Sequence, residues 1–280
     1  MTMNNSSLKK VTIHNEIGVD KCMDKLQYFE SQIELIPSDQ SERFISVMES
    51  LWAFLSSIEN DYIVTKLQND IRFATIQKYL AGKWHEYINL IEVSIANKFL
   101  TDKSLHNSTH SALSEEDYVG VNKELSLLAR TLSDCTVIML GCGPFPETLM
   151  EIYKLNNGVK RVIGIEKRSE IGDIAKRVIK RALPNIENVK IESAIAETLN
   201  YEKIDIVFLA NGLLNKGVIL QRIYDTSKSS VEVIARNPIL MGKILYEDLY
   251  TLPQLDLFTV CSSVQASKLS ETLLLKKRSV

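Results

Sequence analysis

The chain has 280 residues, a formal net charge of −2 at pH 7 and 45% hydrophobic residues, enough for one large domain or two small ones with a sizeable core. The near-neutral balance gives no electrostatic basis for binding nucleic acid or an anionic membrane. No apolar run approaches the length of a bilayer span.

The first ten residues, MTMNNSSLKK, lack the apolar centre of a signal peptide. Residues 1–20 are polar and unpatterned and are expected to form a flexible tail. Cys22, Cys135, Cys142 and Cys261 are scattered without a CxxC pair, which reads as reduced thiols in a cytoplasmic protein. Disulfides and a zinc site are not expected.

From about Lys21 to Leu100 the pattern is helical. Met23, Leu26, Phe29 and Ile33 recur at three- and four-residue spacing, as do Phe44, Val47, Met48, Leu51, Leu55 and Ile58. Pro37 separates two of these helices, with Asp39 and Ser41 as candidate N-caps. The stretches Ile71–Tyr79 and Tyr87–Leu100 continue the theme. Residues 101–114 are rich in Ser, Thr and Asn and read as a loop. Ser114, with Asp117 three residues on, marks the start of a helix over 115–131.

Strand-length and helix-length patterns then alternate. Strands are expected at 135–140, 161–165, 189–192, 204–210, 231–236, 256–262 and 271–276, and helices at 147–155, 169–182, 215–227 and 239–249. Apolar runs separated by helices indicate βαβ units and a parallel sheet. The short link before the last strand predicts an antiparallel pair at one edge. The expected fold is therefore α/β: a class I methyltransferase-like Rossmann fold with a seven-stranded, mostly parallel sheet. An all-helical N-terminal domain over 21–130 precedes a nucleotide-binding domain over 131–280.

The segment TVIMLGCGPFP, residues 136–146, carries the main chemical signal. A buried strand, a glycine turn and a helix start form a cradle for a nucleotide-like ligand, with free N–H groups at the helix N-terminus. Gly141, Cys142, Gly143 and Pro144 are the candidate cradle. The third glycine of G-x-G-x-x-G is replaced by Pro146. Glu166 ends the second strand, 23 residues beyond Gly143, where an acid accepts hydrogen bonds from ribose hydroxyls. The missing glycine and the terminal strand pair favour S-adenosylmethionine over a dinucleotide. Ser193 and Ala194 follow the third strand, where adenine would lie. Ala210 and Asn211 follow the fourth, beside the reacting centre.

These segments resemble the nicotianamine synthase family. GCGPFPET is similar to its G-S-G-P-x-P-x-T, and DYVGVNKELSLL (117–128) to the helix before its glycine loop. DIVFLANGL (205–213) and ARNPILMGKILYED (235–248) resemble two further family segments. The bacterial branch that makes staphylopine-type opine metallophores shares this skeleton. The resemblance is clear from about 115 to 250 and looser at IEVSIANKFL (91–100). It implies transfer of the 3-amino-3-carboxypropyl group of S-adenosylmethionine to an amine or amino acid, with release of methylthioadenosine. It also implies that Glu92 and Tyr118 are the catalytic pair, Arg236 the arginine after the fifth strand and Tyr246 the following tyrosine.

The chemistry is compatible with those assignments. All three carbons on a sulfonium are electrophilic, and an enzyme selects one by aligning a nucleophile with it. The leaving thioether is neutral, so no metal is required. The site must supply a deprotonated amine, and a carboxylate such as Glu92 beside a phenol such as Tyr118 suits that task. Arg236 suits a substrate carboxylate, and Trp84, Tyr87 and Tyr118 suit cation–π contact with the sulfonium. Read without the family, Glu92 is a glutamate between two apolar helical residues, and Trp84 is as well suited to a core. His106 and His110 are four apart, but they lie in a loop-like stretch with no third ligand nearby.

The sequence departs from the family pattern on the substrate side. Ser193 and Ala194 stand where an acid is usual, and Asn237-Pro238-Ile239-Leu240 replaces S-A-H-G after the arginine. Four readings stay open: transfer to an amine, intramolecular cyclisation of S-adenosylmethionine to azetidine-2-carboxylate, ordinary methyl transfer, and a non-catalytic binding module. A homodimer is compatible with the sequence.

Overall fold

The computed structural model describes residues 18–102, 115–128, 131–155 and 158–278, with the backbone alone described for 115–120. Four helices come first: α1 (Val19–Glu34), α2 (Ser41–Ser56), α3 (Asp61–Gln68) and α4 (Ile71–Thr101). They bury the stripe that the spacing predicts, including Met23, Leu26, Phe29, Met48, Leu51 and Leu55. Ser41 is the first residue of α2, and Gln40 before it makes no side-chain cap. The capped starts belong to α3 and α4. Asn60 accepts a hydrogen bond from the Tyr62 N–H and Asp70 from the Arg72 N–H, both at 2.9 Å.

After α5 (Glu115–Ser126) come β1 (Thr136–Leu140), α6 (Glu147–Leu155), β2 (Arg161–Glu166), α7 (Ser169–Ala182), β3 (Val189–Ser193), β4 (Ile206–Leu209), α8 (Lys216–Thr226), β5 (Glu232–Pro238), β6 (Phe258–Ser267) and β7 (Ser270–Lys277). The strands form a seven-stranded sheet in the order β3-β2-β1-β4-β5-β7-β6. The first five are parallel, and β7 is antiparallel to both β5 and β6. Central strands read as continuous apolar runs because helices cover both faces. The order reverses between β1 and β4, which places the crevice at the carboxyl ends of these strands.

The expected helix at 239–249 is not an α-helix. The chain instead makes 3₁₀ turns at Leu240–Ile244, Leu249–Thr251 and Pro253–Leu257. Leu240 has φ 49°, and a Cβ on Gly242 would collide with the Leu269 carbonyl oxygen. The segment is pressed flat against the β6–β7 turn, and its apolar spacing serves tight turns as well as it would serve a helix.

Hydrophobic residues gather in three clusters, one on each face of the sheet and one among the N-terminal helices. α4 belongs to two of them. Phe73, Ile76, Leu80 and Trp84 pack in the helical cluster, whereas Ala96 and Phe99 pack against the sheet. Among the described residues no helix is long and apolar enough to cross a membrane.

Candidate active site

The β1 strand runs buried into Gly141. The N–H groups of Gly141 and Cys142 both donate to the Ile165 carbonyl, at 2.9 and 3.1 Å, so the end of β2 pins the turn. Gly141 and Gly143 have φ of 71° and 64°. An L-residue pays about 1–2 kcal/mol in that region, which accounts for glycine at both positions. Pro144, Phe145 and Pro146 are buried beneath the turn, with Phe145 meeting Phe99 of α4 edge-on at 5.5 Å. The Cys142 thiol is pushed up to about 12, by burial first and by Glu166 next, so it stays protonated and serves as a small packing group.

Glu92 of α4 lies directly over this turn. A Cβ placed on Gly143 would be 2.6 Å from Glu92 Oε2. Glu92 is half-buried there. Burial pushes it up to about 7, and the neighbouring Glu166 charge adds to the rise against the pull of Arg168 and Arg236.

Glu166 is buried at the end of β2. Its Oε1 accepts from the backbone N–H and the Nε of Arg168, each at 3.1 Å. Arg168 also donates to Asn89 Oδ1 at 2.8 Å, which ties α4 to the acid one turn before Glu92. The Ala194 N–H donates to the Glu166 carbonyl at 3.2 Å, and exposed Ser193 lies beside Gly172 of α7. Ala210 closes the other side of the turn, its N–H bonded to the Leu140 carbonyl at 3.2 Å. Asn211 follows and accepts from the Lys216 ammonium.

Tyr246 reaches the same region from the 3₁₀ segment. Its hydroxyl accepts a 2.5 Å hydrogen bond from the Trp84 indole. Burial pushes the phenol up to about 12, Trp84 opposes the rise and Glu92 contributes to it, so Tyr246 is neutral at physiological pH. Trp84 is buried between Trp52, stacked at 5.0 Å, and Tyr87, tilted at 5.0 Å. It belongs to the helical core and touches the site region through Tyr246. His85 meets the Tyr246 ring at 6.0 Å and is held below its ordinary range by burial, then by Lys216 and Arg168. Sequence reasoning missed His85, although it lies two helical turns before Glu92 on one face.

Arg236 is engaged by the protein itself. Its Nε and NH2 donate to the two Glu124 oxygens at 2.6 and 2.8 Å, and NH2 also reaches Thr148 Oγ1 at 2.9 Å. Glu124 is 2% exposed and accepts a further bond from Thr272 Oγ1 at 2.9 Å. This network ties α5, α6, β5 and β7 together. Removing one member leaves a poorly solvated charge, so E124A is expected to lower stability by about 3 kcal/mol in urea unfolding, with E124Q losing less. A loss under about 1 kcal/mol for E124A would mean that the pair behaves as a surface ion pair. Glu124 was not singled out from the sequence; its partners lie on elements distant in sequence.

Tyr118 falls within α5, with its side chain outside the described residues; His106, His110 and Ser114 also lie outside them. Among the described residues no cluster of three or more metal-ligating side chains occurs.

No family model and no curated protein matches the sequence. Solved structures do match. A structure of the nicotianamine synthase MtNAS in complex with MTA and tNA superposes with a TM-score of 0.77 at 17% identity, covering 92% of this chain and 98% of that one. A glutamate-to-glutamine variant of MtNAS in complex with S-adenosylmethionine gives 0.75 at 15% identity, covering 91% and 97%. The magnesium protoporphyrin IX methyltransferase ChlM from Synechocystis PCC 6803 with bound SAH gives 0.50 at 12%, covering 69% and 97%. The fold is the class I methyltransferase-like fold with a helical N-terminal region. The expectation drawn from the strand pattern is correct, and at these identities the likeness establishes architecture.

Proposed function

We propose that the protein is an S-adenosylmethionine-dependent transferase of the nicotianamine synthase type. It moves the 3-amino-3-carboxypropyl group to the nitrogen of a small amine or amino acid and releases methylthioadenosine. The observation that carries this reading is the Glu92 carboxyl, held over the Gly143 turn and raised to about 7. A base tuned near the working pH suits removal of a proton from an ammonium nucleophile.

In the proposed step the Glu92 carboxylate accepts the ammonium proton. The freed nitrogen lone pair attacks the γ-carbon, the C–N bond forms, and the S–C bond breaks. Its electron pair stays on sulfur, which leaves as the neutral thioether of methylthioadenosine. Gly141, Cys142, Gly143 and Pro144 cradle the co-substrate, Glu166 takes the ribose hydroxyls, and Ser193, Ala194, Ala210 and Asn211 line the adenine and reacting ends. Glu92 and Glu166 repel each other. A sulfonium placed near them offsets that repulsion, which supports a cationic ligand. Tyr118 is assigned as the partner of Glu92 and Tyr246 to the substrate side, whereas Tyr87 packs against Trp84 in the helical core; the helices over 21–130 cover the 131–280 sheet domain. The MtNAS structures, with S-adenosylmethionine in one and MTA and tNA in another, support the same co-substrate here.

One observation favours cyclisation as a second reading. Arg236, the cation suited to an acceptor carboxylate, is engaged at two nitrogens by Glu124. An acceptor acid would have to share it, whereas the amine of S-adenosylmethionine attacking its own γ-carbon needs no acceptor.

The test is to incubate the protein with S-adenosylmethionine alone and then with candidate amines and amino acids, and to identify the nucleoside released. Methylthioadenosine that requires an acceptor is the expected result. Methylthioadenosine without one identifies cyclisation. S-adenosylhomocysteine would overturn both readings in favour of methyl transfer, and no turnover with any amine would favour a binding module.

A further inference from the structure

Lys216 opens α8 and is 0% exposed. Its ammonium donates to Asn211 Oδ1 at 3.3 Å, the Arg236 carbonyl at 3.2 Å and the Glu247 carbonyl at 3.1 Å. Its own backbone N–H donates to Glu247 Oε2 at 2.7 Å. Lys216 and Glu247 therefore grip each other at both ends. The three ammonium acceptors come from three segments: the β4–α8 connection, the end of β5 and the turn after Tyr246. Asn211 and Arg236 lie at or just beyond the carboxyl ends of β4 and β5, where an open α/β sheet places its ligand crevice, and Glu247 follows the 3₁₀ turn after β5.

Each segment carries a residue of the site. Asn211 adjoins Ala210, which closes the glycine turn. Arg236 is the residue whose side chain Glu124 holds. Tyr246 adjoins Glu247 and accepts the Trp84 bond. A buried ammonium carries a desolvation cost, and an apolar side chain of the same length would fill the space without it. What a charge adds is three directed bonds from one point.

We propose that Lys216 is a positioning residue. It fixes the Asn211 loop, the Arg236 backbone and the Tyr246 turn relative to one another, and so sets the distance between Tyr246, Arg236 and Glu92 above the glycine turn. The purpose of that placement rests on the transferase reading; the clamp itself does not.

The clamp is pH-sensitive. Burial brings Lys216 down to about 8, opposed by Glu247 and Asp248 from the same turn. Asp248 is paired with Lys243 at 3.3 Å, and the Lys216 charge acts on His85 of α4. Loss of a proton removes one of three donors from a site with three acceptors.

The chain's two tryptophans, Trp52 and Trp84, are stacked, and the Trp84 indole is bonded to Tyr246, so tryptophan emission reports the position of the Tyr246 turn. In the full-length protein without ligand, emission is followed between about pH 6 and pH 10. The wild type is expected to show a transition near pH 8. K216M is expected to show altered emission throughout and no such transition. K216R keeps the charge over this range, and it is expected to retain the neutral-pH emission more closely than K216M and to lose the transition. In turnover, kcat of K216M is expected to fall by about 30-fold with S-adenosylmethionine affinity within about fivefold, because a displacement near 1 Å costs rate more than binding.

An unchanged transition in K216M assigns it to His85 or Glu92 and overturns the proposal. So does a K216M enzyme with wild-type kcat. If circular dichroism shows K216M unfolded, K216R decides: a transition still near pH 8 overturns the clamp. If the wild type releases no methylthioadenosine, the transferase reading fails while the emission titration still judges Lys216.

Discussion

Replacing Glu92 with glutamine is expected to lower methylthioadenosine release by at least about 10²-fold, with S-adenosylmethionine affinity within about threefold of wild type. Glutamine keeps the shape over the Gly143 turn and removes the only function asked of the residue, which is to take a proton. The same variant has a stability signature. The Glu92 carboxyl has a folded-state pKa of about 7 against an ordinary value of 4.5. An acid raised in this way binds its proton more tightly in the folded protein. The folded state therefore loses stability as pH climbs from the ordinary value to the raised one, and carries the full cost above it. That cost is roughly 3 kcal/mol. E92Q should thus melt higher than wild type near pH 8, with the difference closing as pH falls from about 7 to about 4.5. Full turnover by E92Q would remove Glu92 as the base, and equal melting near pH 8 would remove the burial argument.

G143V is the second large effect. Gly143 has φ 64°, and a Cβ there points at Glu92 Oε2. Valine brings two further carbons, and a branched residue is a clear outlier at this φ. The expected result is loss of S-adenosylmethionine affinity by more than about 10²-fold in calorimetry, with stability reduced by about 2–3 kcal/mol. G143A, which meets the same φ and the same oxygen with one carbon, should fall between valine and wild type. Wild-type affinity in a folded G143V protein would overturn the cradle assignment.

The sheet was legible because its strands are buried on both faces. Runs such as Val162–Ile165 and Ile206–Leu209 have no polar face to confuse the period. The 3₁₀ segment after β5 was not legible, because residues 240, 241, 244 and 245 satisfy a helical template while Leu240 and Gly242 obey a contact with Leu269. α4 reads as two stretches because Gly82 interrupts the helix formers, although Leu80 and Trp84 carry the apolar stripe across it. Gly82 has nothing within 4 Å of a Cβ, so the break costs helix propensity alone and the helix continues.

Within the candidate site the local pieces were legible and the distant pairings were not. The glycine turn and Glu166 follow from a strand–turn–helix pattern and a spacing. The position of Glu92 over Gly143 has no local signal, and only the family resemblance singled it out. Arg236 was identified as a cation, but its partner lies 112 residues away on α5. Lys216 and Glu247 are 31 residues apart and meet because β5 runs between them. Such pairs are set by topology, which composition and period do not encode.

α4 spans 31 residues, a rod of about 45 Å seated in two separate cores. Trp84 and Glu92 sit on it two turns apart, one facing the helical core and the other the glycine turn. The rod is a lever as well as a wall. Glu92 sits between the two seats, so a displacement of the helical core relative to the sheet would reach it through this helix. On the transferase reading proposed above, entry of the co-substrate and the placement of Glu92 over the Gly143 turn are coupled through this one helix.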